Sequence, residues 1–329
     1  MILVILDAFA VLIIALLAVS FLSPWPSALV IRYVFERGGK AVNAALAKHV
    51  PTNIRARLNE HYDEADVDAR LDVYYPAEVE GTSRALPTIV WVHGGGFVSG
   101  SKDHIANYLK ILAAKGYTVV GVDYSLAPRT TYPTAVRQVN SALSYLVKHA
   151  GTLHVDPQRI VLAGDSAGAH ISAQIANIIT SSEYAERVGI TPSLGPSQLA
   201  GTILYCGPYD VGAFRVDGVL GWFMTTVLWS YTGNRDHRTN REFALASIIQ
   251  YVTSRFPPTF ISAGSGDPLL PHSLVMADAL ARQGVPVDRL FFPANQKPLH
   301  EYQFNLDTEA GKLALTRSLE FLAKHASPR

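Results

Sequence analysis

Gly164-Asp165-Ser166-Ala167-Gly168 follows the apolar run Ile160 to Ala163 and opens a stretch of helical periodicity from Ala167 to Ile179. Taken alone, the pentapeptide reads equally well as an ordinary glycine turn. Its strand, turn and helix context instead selects a nucleophile elbow, in which the turn strains the serine backbone and leaves no room for side chains at the flanking glycines. Ser166 then sits at a helix N-terminus, where unpaired N–H groups and the helix dipole favour developing negative charge.

The second signal lies upstream, in Trp91-Val92-His93-Gly94-Gly95-Gly96-Phe97, directly after another apolar run. Three consecutive glycines let main-chain N–H groups approach a ligand, as an oxyanion hole requires. A phosphate cradle is excluded because no Lys-Ser/Thr pair follows.

A serine nucleophile needs a base, and the base needs an orienting carboxylate, in the chain order Ser, acid, His when the serine sits on such an elbow. Asp267, in Gly264-Ser265-Gly266-Asp267-Pro268-Leu269, follows a late apolar run and is the acid expected. Beyond it lie His272, His300 and His325. His272 begins a helix and His325 sits in the last helix, whereas His300 falls in a loop after the strand Asp288 to Phe292, where the base belongs. For the remaining histidines, His93 and His170 included, a structural or supporting role is expected.

Around these motifs the chain alternates strand and helix. Strands are expected at Arg70 to Tyr75, Thr88 to Val92, Thr118 to Val122, Ile160 to Ala163, Gly201 to Cys206, Pro258 to Ala263 and Asp288 to Phe292. Helices are expected at Ile105 to Lys115, Tyr132 to Lys148, Ala167 to Ile179, His272 to Arg282 and Glu309 to Lys324. That alternation predicts an α/β architecture with a mostly parallel central sheet covered by helices on both faces. Ligands bind such sheets at the carboxyl ends of the strands. One segment, Asp210 to about Ile249, breaks the alternation with the apolar run Val219 to Tyr231. At thirteen residues that run is too short to span a bilayer, so it is expected as a lid, a pocket wall or a second membrane contact. Phe97, Trp222, Phe223 and Trp229 are the candidates to bind substrate.

The N-terminus is of another kind. Ile2 to Leu22 has one charged residue, Asp7, among twenty-one, and fifteen are Ile, Leu, Val or Phe. As a helix it would be about 31 Å long, the thickness of a bilayer's hydrocarbon core. It is expected to be an uncleaved transmembrane anchor. A cleaved secretory signal fits less well, lacking a basic n-region and a good small-residue cleavage site, and a buried core helix would carry a polar face. Pro24, Trp25 and Pro26 end the span, and Ala28 to Ala47 reads as an amphipathic helix near the headgroups or over the domain. Arg32, Arg37 and Lys40 follow the span and no side-chain cation precedes it, which places the globular part in the cytoplasm by the positive-inside rule.

Composition narrows the partners. Lys+Arg is 28 and Asp+Glu 27, so no basic field is present to attract nucleic acid. A single cysteine, Cys206, excludes an intramolecular disulfide and a cysteine-based zinc site; a buried small apolar role is expected for it. No metal or organic cofactor is implied.

Together, His93-Gly94-Gly95-Gly96, Asp123-Tyr124-Ser125-Leu126-Ala127-Pro128, the Ser166 elbow, Asp267-Pro268-Leu269 and His300 resemble the ordered motifs of the hormone-sensitive-lipase-like carboxylesterases of the α/β-hydrolase fold. The resemblance covers roughly residues 65–325. It implies an esterase with Ser166 as nucleophile, His300 as base, Asp267 as orienting acid, and an oxyanion hole from the N–H groups of Gly95, Gly96 and Ala167. It also implies a helical cap from residues 24–60 and about 211–249, on a hydrolase domain spanning 61–329 after an anchor at 1–23. Two positions depart from the pattern. Ala169 replaces a glycine that often closes the elbow, and His300 is followed by Glu301-Tyr302-Gln303-Phe304 in place of a His-Gly-Phe run, so Glu301 and Tyr302 are placed to line the site. An N-terminal anchor on such a domain is similar to the arrangement in arylacetamide deacetylases, which adds amides to the candidate substrates.

The expected activity is hydrolysis of short- to medium-chain apolar esters, with a small-molecule or lipid ester as substrate. A phospholipase, a long-chain lipase and an amidase are alternatives within the class. A non-catalytic ligand-binding protein on the same fold is the alternative outside it, disfavoured by the intact Ser166, Asp267 and His300. Pairing of two copies as a homodimer is left open.

Overall fold

In a computed structural model of the chain, residues 19–214 and 218–327 are described. The strands β3 (Leu86–Val92), β4 (Thr118–Val122) and β7 (Thr259–Ala263) are buried along their whole length. Their uninterrupted apolar sequence follows from helices covering both faces of the sheet. Alternate residues feed two separate cores. Val90, Val92, Val120, Leu162 and Leu204 pack on one face, while Ile89, Trp91, Val119, Val161, Ala163 and Ile203 pack on the other. The first core is closed by helices α3 (Thr134–Lys148), α4 (Ala167–Thr180) and α8 (Leu270–Arg282), and the second by α2 (Lys102–Ala113) and α9 (Glu309–His325).

The eight-stranded sheet runs β1-β2-β4-β3-β5-β6-β7-β8, with β2 at Arg70–Pro76, β5 at Val155–Asp165, β6 at Leu199–Tyr205 and β8 at Val287–Phe291. β1 and β2 run antiparallel to their neighbours and all other pairs are parallel. The order reverses around β3, so the loop after β3 and the turn after β5 leave adjacent strand ends, Val92 pairing with Gly164. A crevice at such a reversal is where open α/β sheets bind ligands.

Seven strands and the five helices expected between them fall where the sequence puts them. The eighth strand, β1 (Ile54–His61), was not expected: its residues belong to the stretch assigned to cap helices, residues 24–60, and that boundary falls inside the strand. Its sequence Ile-Arg-Ala-Arg-Leu-Asn-Glu-His carries no continuous apolar run, its few apolar residues being interleaved with charged and polar ones, because β1 is an exposed edge.

Helix α1 (Trp25–Leu46) lies over the domain. Arg32 donates from Nε to the Val98 carbonyl (2.8 Å) and from its terminal nitrogen to the Ala127 carbonyl (3.0 Å). Asn43 and Asn107 bond α1 to α2. The 211–249 insertion carries α6 (Gly218–Thr232), whose Phe223 ring meets Phe35 of α1 at 5.6 Å. A short helix, α7 (Arg241–Ala244), lies in the same insertion, and α5 (Ser182–Val188) follows α4. Most of the expected membrane segment, residues 1–18, lies outside the described residues. Among the described residues no helix is long and apolar enough to cross a membrane. The helical turn at residues 19–22 rests on the cap, with Arg235 over the Phe21 ring at 4.1 Å.

Candidate active site

Ser166 has φ 50° and ψ −120°, between β5 and α4. This strained backbone is held by its N–H bond to the Tyr205 carbonyl at 2.8 Å. A Cβ on Gly168 would lie 2.0 Å from the Val92 carbonyl oxygen, so α4 starts against β3 only because that residue is glycine.

His300, in the loop after β8, brings Nε2 to 3.0 Å from Ser166 Oγ. Its other nitrogen, Nδ1, lies 2.8 Å from Asp267 Oδ2, and Asp267 Oδ1 accepts from the Leu269 N–H at 2.7 Å. The buried carboxylate therefore holds Nδ1 as the N–H and leaves Nε2 free to accept a proton. Burial works against a charged imidazole at His300, but its hydrogen bonds to the Cys206 thiol and the Asp267 carboxylate, with the Glu301 carboxylate nearby, outweigh it and raise its pKa well above the usual histidine value. Cys206 is buried beneath this pair with its thiol pushed up by burial, consistent with the packing role expected from sequence.

The glycine loop faces Ser166 across the crevice. Gly95 (φ 112°) cannot be replaced without a Cβ meeting the Ser99 carbonyl oxygen at 2.2 Å. The loop is fixed at its base by Asp165, which accepts from the Gly94 N–H (2.8 Å) and the Trp91 indole (2.7 Å). His93 is buried and donates from Nδ1 to the Gly94 carbonyl at 2.7 Å, with its pKa drawn down to about 4 by burial. His170 is likewise buried and bonds the Ala246 carbonyl at 2.9 Å. Both are structural, as expected.

A cavity of about 470 Å³ joins these groups, lined by Gly95, Gly96, Ser166, Ala167 and His300 at its floor. Its volume is that of a small-molecule site. Phe97, stacked on Tyr231 at 3.9 Å, and Phe223 form part of its wall, as anticipated. Trp222 and Trp229 do not. On α6 the positions Leu220, Phe223, Met224, Val227 and Leu228 share one face and line the cavity, whereas Trp222 and Trp229, seven residues apart, lie on the opposite face. Trp222 is 49% exposed, and Trp229 carries Arg235 over its ring at 5.4 Å. Sequence reasoning places α1 in the cap but names none of its cavity residues: Val34, Phe35 and Val42 form the facing wall. The amphipathic pattern of that helix marks an inward face without naming its partner. Glu301 lines the cavity, while Tyr302 turns away from it to bond Ser262 at 2.5 Å.

Chemically, this arrangement can deprotonate a hydroxyl at Ser166 and stabilise an oxyanion beside backbone N–H groups in a largely apolar enclosure. Comparison with known proteins agrees. The chain is 30% identical over 219 residues to an esterase of Gibberella moniliformis, a match spanning 62% of this chain and 64% of that protein. It is 28% identical over 276 residues to an acetyl esterase of Salmonella paratyphi B, spanning 80% of this chain and 78% of the relative. Esterase B of Lactobacillus rhamnosis shares the fold, with TM-score 0.75 at 22% identity over 90% of this chain and 96% of that one. The BD-FAE family model matches residues 71–280, from β2 through the elbow and Asp267 into α8, so the chain belongs to the BD-FAE family of α/β-hydrolases and is a carboxylic ester hydrolase.

Proposed function

We propose that the protein is a serine carboxylesterase acting on short- to medium-chain apolar esters, held at a membrane by residues 2–22 with its globular part in the cytoplasm. The observation that carries the catalytic reading is the continuous chain Ser166 Oγ, His300, Asp267 with links of 3.0 and 2.8 Å. Ser166 Oγ attacks the ester carbonyl carbon while His300 Nε2 takes the hydroxyl proton, and the carbonyl oxygen becomes an anion facing the N–H groups of Gly95, Gly96 and Ala167. Collapse breaks the C–O bond, and the departing alkoxide takes the proton from Nε2. A water molecule then gives a proton to the same nitrogen and attacks the acyl-enzyme, and a second collapse frees the acid and restores Ser166. The cavity volume and its apolar walls support a modest acyl group, in keeping with the acetyl esterases among the relatives.

Membrane placement is supported by the apolar sequence of residues 2–22 and by the rim of the cavity, where Val34 and Leu220 are both exposed and line the opening. Arg37 and Lys40 are exposed on α1, as the orientation rule requires, while Arg32 is engaged within the fold. The test is hydrolysis of a p-nitrophenyl ester series, acetyl to palmitoyl, by detergent-extracted full-length protein beside Ser166→Ala. Ser166-dependent turnover with a short- to medium-chain optimum is expected. A long-chain optimum would favour a lipase, and Ser166-independent turnover would remove the triad reading. Fractionation with an alkaline carbonate wash tests the anchor: recovery in the wash supernatant would refute it.

A further inference from the structure

Glu301 occupies a backbone conformation that suits glycine, φ 58° and ψ 28°. A side chain kept there points to a use for that side chain. Its carboxyl reaches over the glycine loop, hydrogen-bonds the Asp165 carboxyl, and places Oε1 3.8 Å from His300 Nε2, the atom that handles the reaction's proton. The space directly above Gly94 is where the two carboxyl groups converge: a Cβ built there would lie 2.4 Å from Asp165 Oδ2 and 2.8 Å from Glu301 Oε1. Burial, with Glu301 beside it, raises the Asp165 carboxyl well above the usual carboxylate range, so Asp165 holds the proton that lies between the two groups. Asp165 also accepts from Trp91 and from the Gly94 N–H, so the pair ties the end of β5 and the base of the glycine loop to the loop that bears His300.

We propose that Glu301 is a positioning residue of the ester hydrolysis: paired with Asp165 through the proton that lies between them, it locks the His300 loop to the glycine loop and places negative charge beside the imidazolium formed when Ser166 loses its proton. The proposal rests on the reading of His300 as the base. The other titratable groups around the pair come from every neighbouring element. They are His93 after β3, Tyr124 after β4, Cys206 after β6, Asp267 after β7, and His104 and Tyr108 on α2. Burial lowers the two histidines and raises Tyr124, Tyr108 and Cys206, so all five are neutral at working pH. Asp267 and the Asp165–Glu301 pair are left as the anionic groups facing His300.

The experiment is a pH profile of kcat/KM and kcat for Glu301→Gln and Glu301→Gly against wild type, with melting temperatures. Glutamine keeps the shape and removes the ionisable group, and glycine also relieves the backbone. Both variants should fold, with glycine melting no lower than wild type. Both should lower kcat about fivefold with KM nearly unchanged, and move the acid limb of kcat/KM down by about half a pH unit or more, because His300 loses an anionic neighbour. Unchanged kcat and an unmoved acid limb in folded variants overturn the proposal. The parent reading is checked separately: activity that survives Ser166→Ala removes the triad, whereas Ser166-dependent activity with wild-type Glu301 profiles removes this proposal alone.

Discussion

The floor and the walls of the cavity are built by different physics. At the floor, Ser166, the glycine loop and His300 are fixed by hydrogen bonds to buried acceptors: the Ser166 N–H to the Tyr205 carbonyl, the Gly94 N–H to Asp165 and His300 Nδ1 to Asp267. The walls, α1 and α6, meet through apolar contacts such as Phe35 on Phe223, and keep exposed side chains at their rim. A hydrogen-bonded floor tolerates little displacement, since catalytic groups lose rate when shifted by an ångström. An apolar wall can be re-cut residue by residue, because hydrophobic contacts carry little directionality. Substitutions at the floor should therefore change the rate, and substitutions at the walls should change which ester is preferred.

The largest break in that contrast is Asp267→Asn, which keeps the shape but disfavours the tautomer that leaves Nε2 free. It should lower kcat by about 10⁴-fold with little change in KM, measured by steady-state kinetics on an acetyl ester. Next is a test of the scaffold behind the floor. Lys102 is buried and pairs with Asp72 at 3.1 Å and Asp103 at 3.0 Å, and its N–H bonds Asp123 at 2.7 Å. Lys102→Met leaves the buried Asp72 without its cation and should cost about 3–5 kcal/mol in denaturant unfolding. Phe223→Ala at the wall should enlarge the cavity and shift the acyl optimum toward longer chains, by about tenfold in the ratio of kcat/KM values, while leaving Ser166-dependent chemistry intact. In the wild-type enzyme kcat/KM should fall on acidification with a midpoint above the usual histidine value of about 6.5, since His300 must be neutral to act and its pKa is raised. The smallest effect is expected from Trp222→Ser, on the outer face of α6, with turnover of a soluble ester within about twofold of wild type because an exposed side chain away from the cavity contributes little.

The floor is legible in the sequence and the walls only partly so, for the same physical reason. An elbow serine, a glycine run and a late acid and histidine are each dictated by local backbone geometry, so Ser166, Asp267 and His300 are identifiable from the order of residues alone and meet as expected. The parallel strands announce themselves as apolar runs because both faces are covered. The edge strand β1 carries no such signature, its outer residues being exposed. In α6 all-round hydrophobicity conceals which face meets the cavity, so aromatic size misdirects the choice to Trp222 and Trp229 while the helical repeat selects Phe223 and Val227. The role of α1 depends on contacts with residues far along the chain, Val98, Asn107 and Phe223, which no local pattern reveals.

The two bonds from Arg32 to the Val98 and Ala127 carbonyls bear on how the chain can be shortened. A version that starts just before Trp25 would discard the apolar stretch ahead of it and keep that clamp. One that starts after Leu46 would strip the roof from the reaction chamber and leave those two carbonyls without their guanidinium donor. The useful cut for crystallisation or immobilisation therefore lies on the N-terminal side of α1, the helix that roofs the cavity.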